Sequence, residues 1–268
     1  MVTILPLVKS AIDQSLPHQA QGAKFPKVTL DTPMGSELDR SEIAAMRRSY
    51  SEAGMGALSD NPFEVFNRWL KEAHENVAIV EANAMVLSTV DHEGEITTRT
   101  VLLKDVSQNG FTFFTHYTSR KGRAIHSQPQ VALLFPWYAM ERQVAITGIA
   151  QRVTRAESEQ YFVSRPWSHQ IGAWASRQSE PLSSRDELED RWKSAAQKWP
   201  EGSMVPTPRE WGGYRVIPKT IEFWQGRYSR LHDRVQYTRS VQNMDTTTDG
   251  DTDGVPGVSE WEITRHYP

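Results

Sequence analysis

The sequence predicts an α+β chain that is mainly β, an antiparallel barrel with flanking helices. Apolar and polar residues alternate through successive short segments between residues 84 and 153. Turns rich in Asp, Asn and Gly separate those segments, so neighbouring strands run as hairpins. Segments of helical period, opened by N-capping residues, lie before and after them. A meander of hairpins leaves unpaired edges unless it closes, and a barrel is the economical closure.

Residues 1–38 carry no periodic pattern and several Pro and Gly, which predicts a flexible arm, taken to end at residue 40, before a single domain over 41–268. A first helix is expected from Ser41 through Met46-Arg47-Arg48-Ser49-Tyr50. A second has Asn61 as N-cap and Pro62 at its first position, with Phe63, Phe66, Trp69, Leu70 and Ala73 on one face. Strands are expected at 84–90, 95–104, 111–115, 130–137 and 142–153, with hairpin turns at Asp91-His92-Glu93-Gly94 and Gln108-Asn109-Gly110. Thr154 with Glu157, and Ser184 with Glu187, have capping-box spacing and open two more helices, the latter through Leu188, Trp192 and Ala195. Strand character returns at 212–225 and 231–239. Residues 240–258 are rich in Asp, Thr and Gly and predict an acidic, solvated insertion ahead of a last strand, Trp261–Arg265.

Composition narrows the chemistry. The chain has 268 residues, 38 % hydrophobic and 24 % charged, with a formal net charge of −3. That balance advertises neither nucleic acid nor an anionic membrane surface, so any anion site must come from a local cluster of cations. With no cysteine, disulfides, thiolate metal sites and cysteine nucleophiles are excluded together, which fits a reducing, cytoplasmic setting. No apolar run reaches the ~18 residues of a membrane span. The opening residues lack a basic stretch before their short apolar run, so a secretory signal is not expected. No metal site is expected, since no His-x-x-x-His pair occurs; a Gly-x-Ser-x-Gly elbow, a Walker loop and a dinucleotide fingerprint are also missing. Several of the nine Trp sit beside Arg, Gln and Gly, as ligand-site walls do, although core filling accounts for any one of them equally well.

Three basic clusters remain. In Arg99-Thr100-Val101-Leu102-Leu103-Lys104, Arg99, Val101 and Leu103 share one strand face, while Lys104 stands at the strand end on the other. Thr118-Ser119-Arg120-Lys121-Gly122 follows a strand, and hydroxyls, cations and a helix start there suit a phosphate dianion. Taken alone, each is also an ordinary solvated basic turn. In Arg230-Leu231-His232-Asp233-Arg234 the three basic residues fall at i, i+2 and i+4; on a strand they share one face and repel unless an anion or carboxylate lies between them. His232 is then either a hydrogen-bonded structural residue or, held neutral between two Arg, a group able to accept a proton. His169, in Arg165-Pro-Trp-Ser-His169-Gln-Ile-Gly-Ala-Trp174, is the other His in ligand-like company.

R-T-V-L-L-K (99–104), S-R-K-G (119–122), E-R-Q-V (141–144), S-R-P (164–166), Q-I-G-A-W-A-S (170–176), W-G-G-Y-R-V (211–216), I-E-F-W-Q-G (221–226) and R-L-H-D-R (230–234) occur in the order found in one family. The chain resembles the pyridoxine/pyridoxamine 5′-phosphate oxidases over roughly residues 41–239 and again at the last strand. The resemblance implies an FMN-binding split barrel, a cytoplasmic homodimer with FMN at the subunit interface, and oxidation of pyridoxine or pyridoxamine 5′-phosphate by O2. It implies that Arg99 to Lys104, Phe114, Thr115, Ser119, Arg120, Lys121, Gln143, Gln178, Ser179, Trp224 and Arg234 hold FMN. Lys104, Tyr161 and Arg165 match substrate-phosphate positions, and Arg230 and His232 those covering the pyridine ring, where they would serve catalysis. Arg47, Arg48 and Tyr50 match a segment that folds over the site. His169 stands where the family usually has Ser, with Ser168 displaced by one, and the chain ends Arg265-His266-Tyr267-Pro268 where the family has Arg-Leu-x-Pro. These departures bear on substrate affinity more than on flavin binding.

Overall fold

The computed structural model describes residues 40–46, 49–241 and 257–268. Most of the expected arm, Arg47, Arg48 and most of the acidic insertion lie outside them. The chain divides into a unit ending at Arg47 and a unit from Arg48 to Pro268. The first contributes one short helix, α1 (Arg40–Ala45). The helix expected to continue through Tyr50 thus stops at Ala45, and Ser49 and Tyr50 are in no regular element.

In the second unit α2 (Pro62–Glu75) begins as its sequence dictates: the Asn61 side chain accepts from the Phe63 amide, and Pro62 occupies a position whose N–H no helical carbonyl needs. The strands are β1 (Ala84–Val90), β2 (Ile96–Leu102), β3 (Asp105–Ser107), β4 (Gly110–His116), β5 (Gln130–Trp137), β6 (Arg142–Arg152), β7 (Trp211–Gln225), β8 (Asp233–Thr238) and β9 (Glu262–His266). Between them lie α3 (Arg120–Ser127), α4 (Arg155–Ser164), α5 (Trp167–Ala175) and α6 (Arg185–Lys198). The Thr154–Glu157 box is reciprocal, whereas Glu187 returns to Ser183 while Ser184 caps the helix. No helix of the described residues is long and apolar enough to cross a membrane.

All pairings are antiparallel, in the order β2-β1-β5-β6-β7-β4-β3, with β8 and β9 attached beside β7. The long β7 changes neighbour halfway. Phe111–His116 of β4 pair with Trp211–Val216, and Asp233–Thr238 of β8 pair with Thr220–Gln225. Pro218, which has no N–H to give, sits at the changeover, opposite a register shift at Thr147/Gly148 of β6. The sheet therefore curls into a split barrel with flanking helices. Phe66 of α2 plugs it, with ring centroids 4.9 Å from both Phe111 and Phe135. A smaller core of Phe162, Ile171, Ala195, Val205 and Trp211 packs α4, α5 and α6 at the Trp211 end.

A basic cavity and a distant aromatic cluster

A cavity of about 740 Å³ opens where β2, β4, α3, α4 and α5 converge. Residues from separate sequence clusters meet there: Arg99 to Leu102 and Lys104, then Phe114, Thr115 and Lys121, then Tyr161, Arg165 and His169, and finally Gln178. The lining contains no Asp or Glu. One wall is a stack of near-parallel rings, with Phe114 4.0 Å from Tyr161 and 5.3 Å from Trp211, and the Arg165 guanidinium lies 4.9 Å over Trp211.

The cradle at the α3 N-terminus follows from local sequence. Ser119 accepts from the Gly122 amide and donates to the His116 carbonyl, so its hydroxyl is spent on shaping the turn. Gly122 is required by space: a Cβ would stand 2.2 Å from the Tyr117 carbonyl oxygen. Lys121 is 8 % exposed and donates to Gln178 (3.2 Å) and Thr115 (3.3 Å). Burial, with Arg99 adding to it, lowers its pKa to about 8. Arg99 is tied to the Leu87 carbonyl at 3.1 Å and to Thr89 and Thr97. Arg165 has a buried Nη1 with no partner, and burial lowers its pKa. An orphaned guanidinium nitrogen in a cavity without carboxylates fits an anion.

The remaining sequence-derived residues are elsewhere. Leu103 is in the core, Arg120 is exposed and paired with Glu95 at 2.9 Å, and Ser179 is exposed with φ 74°. Gln143, Trp224 and Arg234 form one row across β6, β7 and β8. Tyr50 packs edge-on against Trp224 (5.8 Å) and His232 (5.4 Å). Arg230 to Arg234 do not form one strand. Arg230 closes a 3-10 turn, Tyr228–Arg230, with Ser229 and Arg230 at φ 55° and 63°, and β8 starts only at Asp233. The repulsion expected there is relieved differently: Arg234 pairs with Glu222 at 2.7 Å and Asp233 with Arg227 at 3.1 Å. His232 Nδ1 accepts from the Arg227 amide, and burial, then Arg230, lowers its pKa.

Sequence reasoning missed cavity residues too. His116 lines the cavity at the end of β4, opposite Trp211 in register. Ser168 and Ser176 also line it, and Trp211 had been quoted only as part of a motif. The position of His116, three residues before the helix cap, was the available signal.

Comparison with known proteins agrees with this arrangement. Residues 70–199 match the family described as pyridoxamine 5′-phosphate oxidase, and residues 211–268 match a pyridoxine 5′-phosphate oxidase C-terminal dimerisation region. A pyridoxine/pyridoxamine 5′-phosphate oxidase of Burkholderia thailandensis is 49 % identical over 228 residues, covering 84 % of this chain and 99 % of that protein. The crystal structure of PhzG from Burkholderia lata, solved with tetrahydrophenazine-1-carboxylic acid, is 27 % identical with a TM-score of 0.68, covering 80 % of this chain and 96 % of that one. A pyridoxamine 5′-phosphate oxidase-related, FMN binding protein from Nostoc punctiforme shares the fold at 15 % identity, with a TM-score of 0.57 over 79 % of this chain and 100 % of that one. On family match, identity and fold together, this chain belongs to the pyridoxamine 5′-phosphate oxidase family.

Proposed function

We propose that the protein is an FMN-dependent oxidase that converts pyridoxine and pyridoxamine 5′-phosphate to pyridoxal 5′-phosphate, reducing O2 to H2O2 and releasing ammonia from the amine. The observation that carries this is the acid-free cavity, in which cations from three sequence segments meet an aromatic wall. Two ligands that each carry a phosphate suit such a lining. FMN held here would supply the two-electron redox chemistry between substrate and O2.

The chain's own contribution is positioning. Lys121 and the α3 amides hold the flavin phosphate, with Arg99, Thr115 and Gln178 around it. Lys104, Tyr161, Arg165 and His169 hold the substrate phosphate. Gln143, Trp224 and Arg234, with Arg230 and His232, complete the flavin and pyridine surroundings. Within one chain they do not line that cavity. Trp211 borders the cavity and Trp224 lies thirteen residues further along β7, roughly 40 Å of strand at about 3.3 Å per residue. That separation along the strand supports a homodimer in which each site takes its second half from the other copy. The dimerisation region matched over residues 211–268 includes Trp224 to Arg234. An arm through residue 40, one domain from 41 and a cytoplasmic location belong to the same reading.

Aerobic turnover of FMN-loaded protein, with pyridoxal phosphate and peroxide followed together, tests it. Equal yields of both products from either phosphorylated vitamer are expected. A flavin-loaded protein that yields neither would overturn the oxidase.

A further inference from the structure

His116 has no role in the reading above, yet it is 9 % exposed and lines the cavity. Its surroundings are all of one sign. Lys121 of α3 and Arg165 at the end of α4 act on it directly. Arg99 of β2, Lys104 after β2, Tyr161 of α4 and His169 of α5 line the same cavity, and no carboxylate does. Arg120 is turned out to Glu95, and exposed Glu210 reaches the neighbouring backbone only through its carbonyl, which accepts from the Tyr117 amide. Its main chain is fixed on both sides, the carbonyl by Ser119 and the amide by Gln178 at 3.4 Å, which holds the residue at the cavity wall that Lys121 and Arg165 also line.

We infer that the cavity takes up a proton together with the phosphate it binds, and that His116, held between Lys121 and Arg165, is the residue that receives it. Without an anion, a third positive charge there would be buried among two others with nothing to offset it. A phosphate dianion reverses that balance: the protonated imidazole then gains an opposite charge and can donate from both ring nitrogens. Burial, then Lys121 and Arg165, hold the His116 pKa below 6.5 in the ligand-free protein, so the imidazole is neutral at pH 7 and free to accept a proton. Lys121, lowered to about 8, is mostly charged already at pH 7 and contributes chiefly above it. Each proton taken up makes affinity fall about tenfold per pH unit as pH rises.

The inference rests on the cradle being the flavin phosphate site. Calorimetric titration of FMN into FMN-free wild-type protein and H116Q at pH 7, in two buffers of different ionisation enthalpy, counts the protons bound with the ligand. Wild type is expected to take up most of one proton, and H116Q to bind FMN with almost none. Small changes in the ionisation of the FMN phosphate cancel in the difference. Equal uptake by both proteins would overturn the role of His116 and leave the cradle standing. Failure of wild type to bind FMN at any pH would instead overturn the cradle. If H116Q does not fold, the His116 imidazole resonance of wild type decides: its titration midpoint must rise on adding FMN, and an unchanged midpoint refutes the inference.

Discussion

Arg165 and His116 show how one cavity sets opposite demands on its side chains. Arg165 keeps its charge and has an unpartnered buried nitrogen, so an anion gains a hydrogen bond there without displacing a protein partner. R165A is expected to raise KM for the phosphorylated substrate on the order of tenfold to a hundredfold, from about 1.5–3 kcal/mol per charged hydrogen bond, with a small effect on FMN affinity. Steady-state kinetics beside FMN titration separate the two. His116 instead gives up its charge to be buried. Its folded pKa lies below the unfolded 6.5, so its contribution to stability is present above pH 6.5 and is lost as pH falls through the lowered value. The melting temperature of FMN-free protein should decline below pH 6.5, and less so in H116Q; parallel declines would show that other groups dominate.

At the scale of elements, the cradle depends on how α3 starts. Ser119 both caps the helix and holds the His116 carbonyl, so S119A should cost about 0.5–2 kcal/mol, read from denaturant unfolding. G122A should be worse for binding than for folding. Its methyl would meet the Tyr117 backbone carbonyl, and the helix start, which carries Lys121, must shift relative to Gln178. A loss of FMN affinity larger than the loss of stability is expected; unchanged FMN affinity would mean that the cradle tolerates the shift. Helix α2 acts at a distance from ligand, filling the curled sheet with Phe63, Phe66 and Trp69, all at most 1 % exposed.

For the whole molecule, the proposed two-copy site rests on the two ends of β7 and on the dimerisation region matched over residues 211–268. One end borders the basic cavity and the other carries Trp224 beside Arg234 and His232. Chains carrying K121A and chains carrying W224A should each be nearly inactive. Refolded together in equal amounts, they form mixed dimers with one intact composite site, and about a quarter of wild-type activity should return. No recovery on mixing would mean that each chain builds its site alone.

Strand boundaries at 84–90 and 130–137, the Asn61 and Thr154 caps and the Ser119 helix start were legible in the sequence because they rest on local causes, namely side-chain alternation and caps within a few residues. The clusters at 99–104 and 118–122 and the run around Arg165 and His169 were legible as chemistry, but not as neighbours. Sequence reasoning failed where long-range contacts override local pattern. Arg230 to Arg234 alternate like a strand, yet the positive φ of Ser229 and Arg230, with the bond from the Arg227 amide to His232, makes a turn. His116 had only a weak local signal, its place three residues before the helix cap, because its surroundings are Lys121, five residues on, and Arg165, which the fold brings from α4. By itself the sequence determined most of the elements, though neither α5 nor β3, together with the cations and the family. Tertiary structure alone decided which cations share a buried, acid-free space. Charge repulsion and desolvation depend on distance through space, and only the folded chain sets those distances.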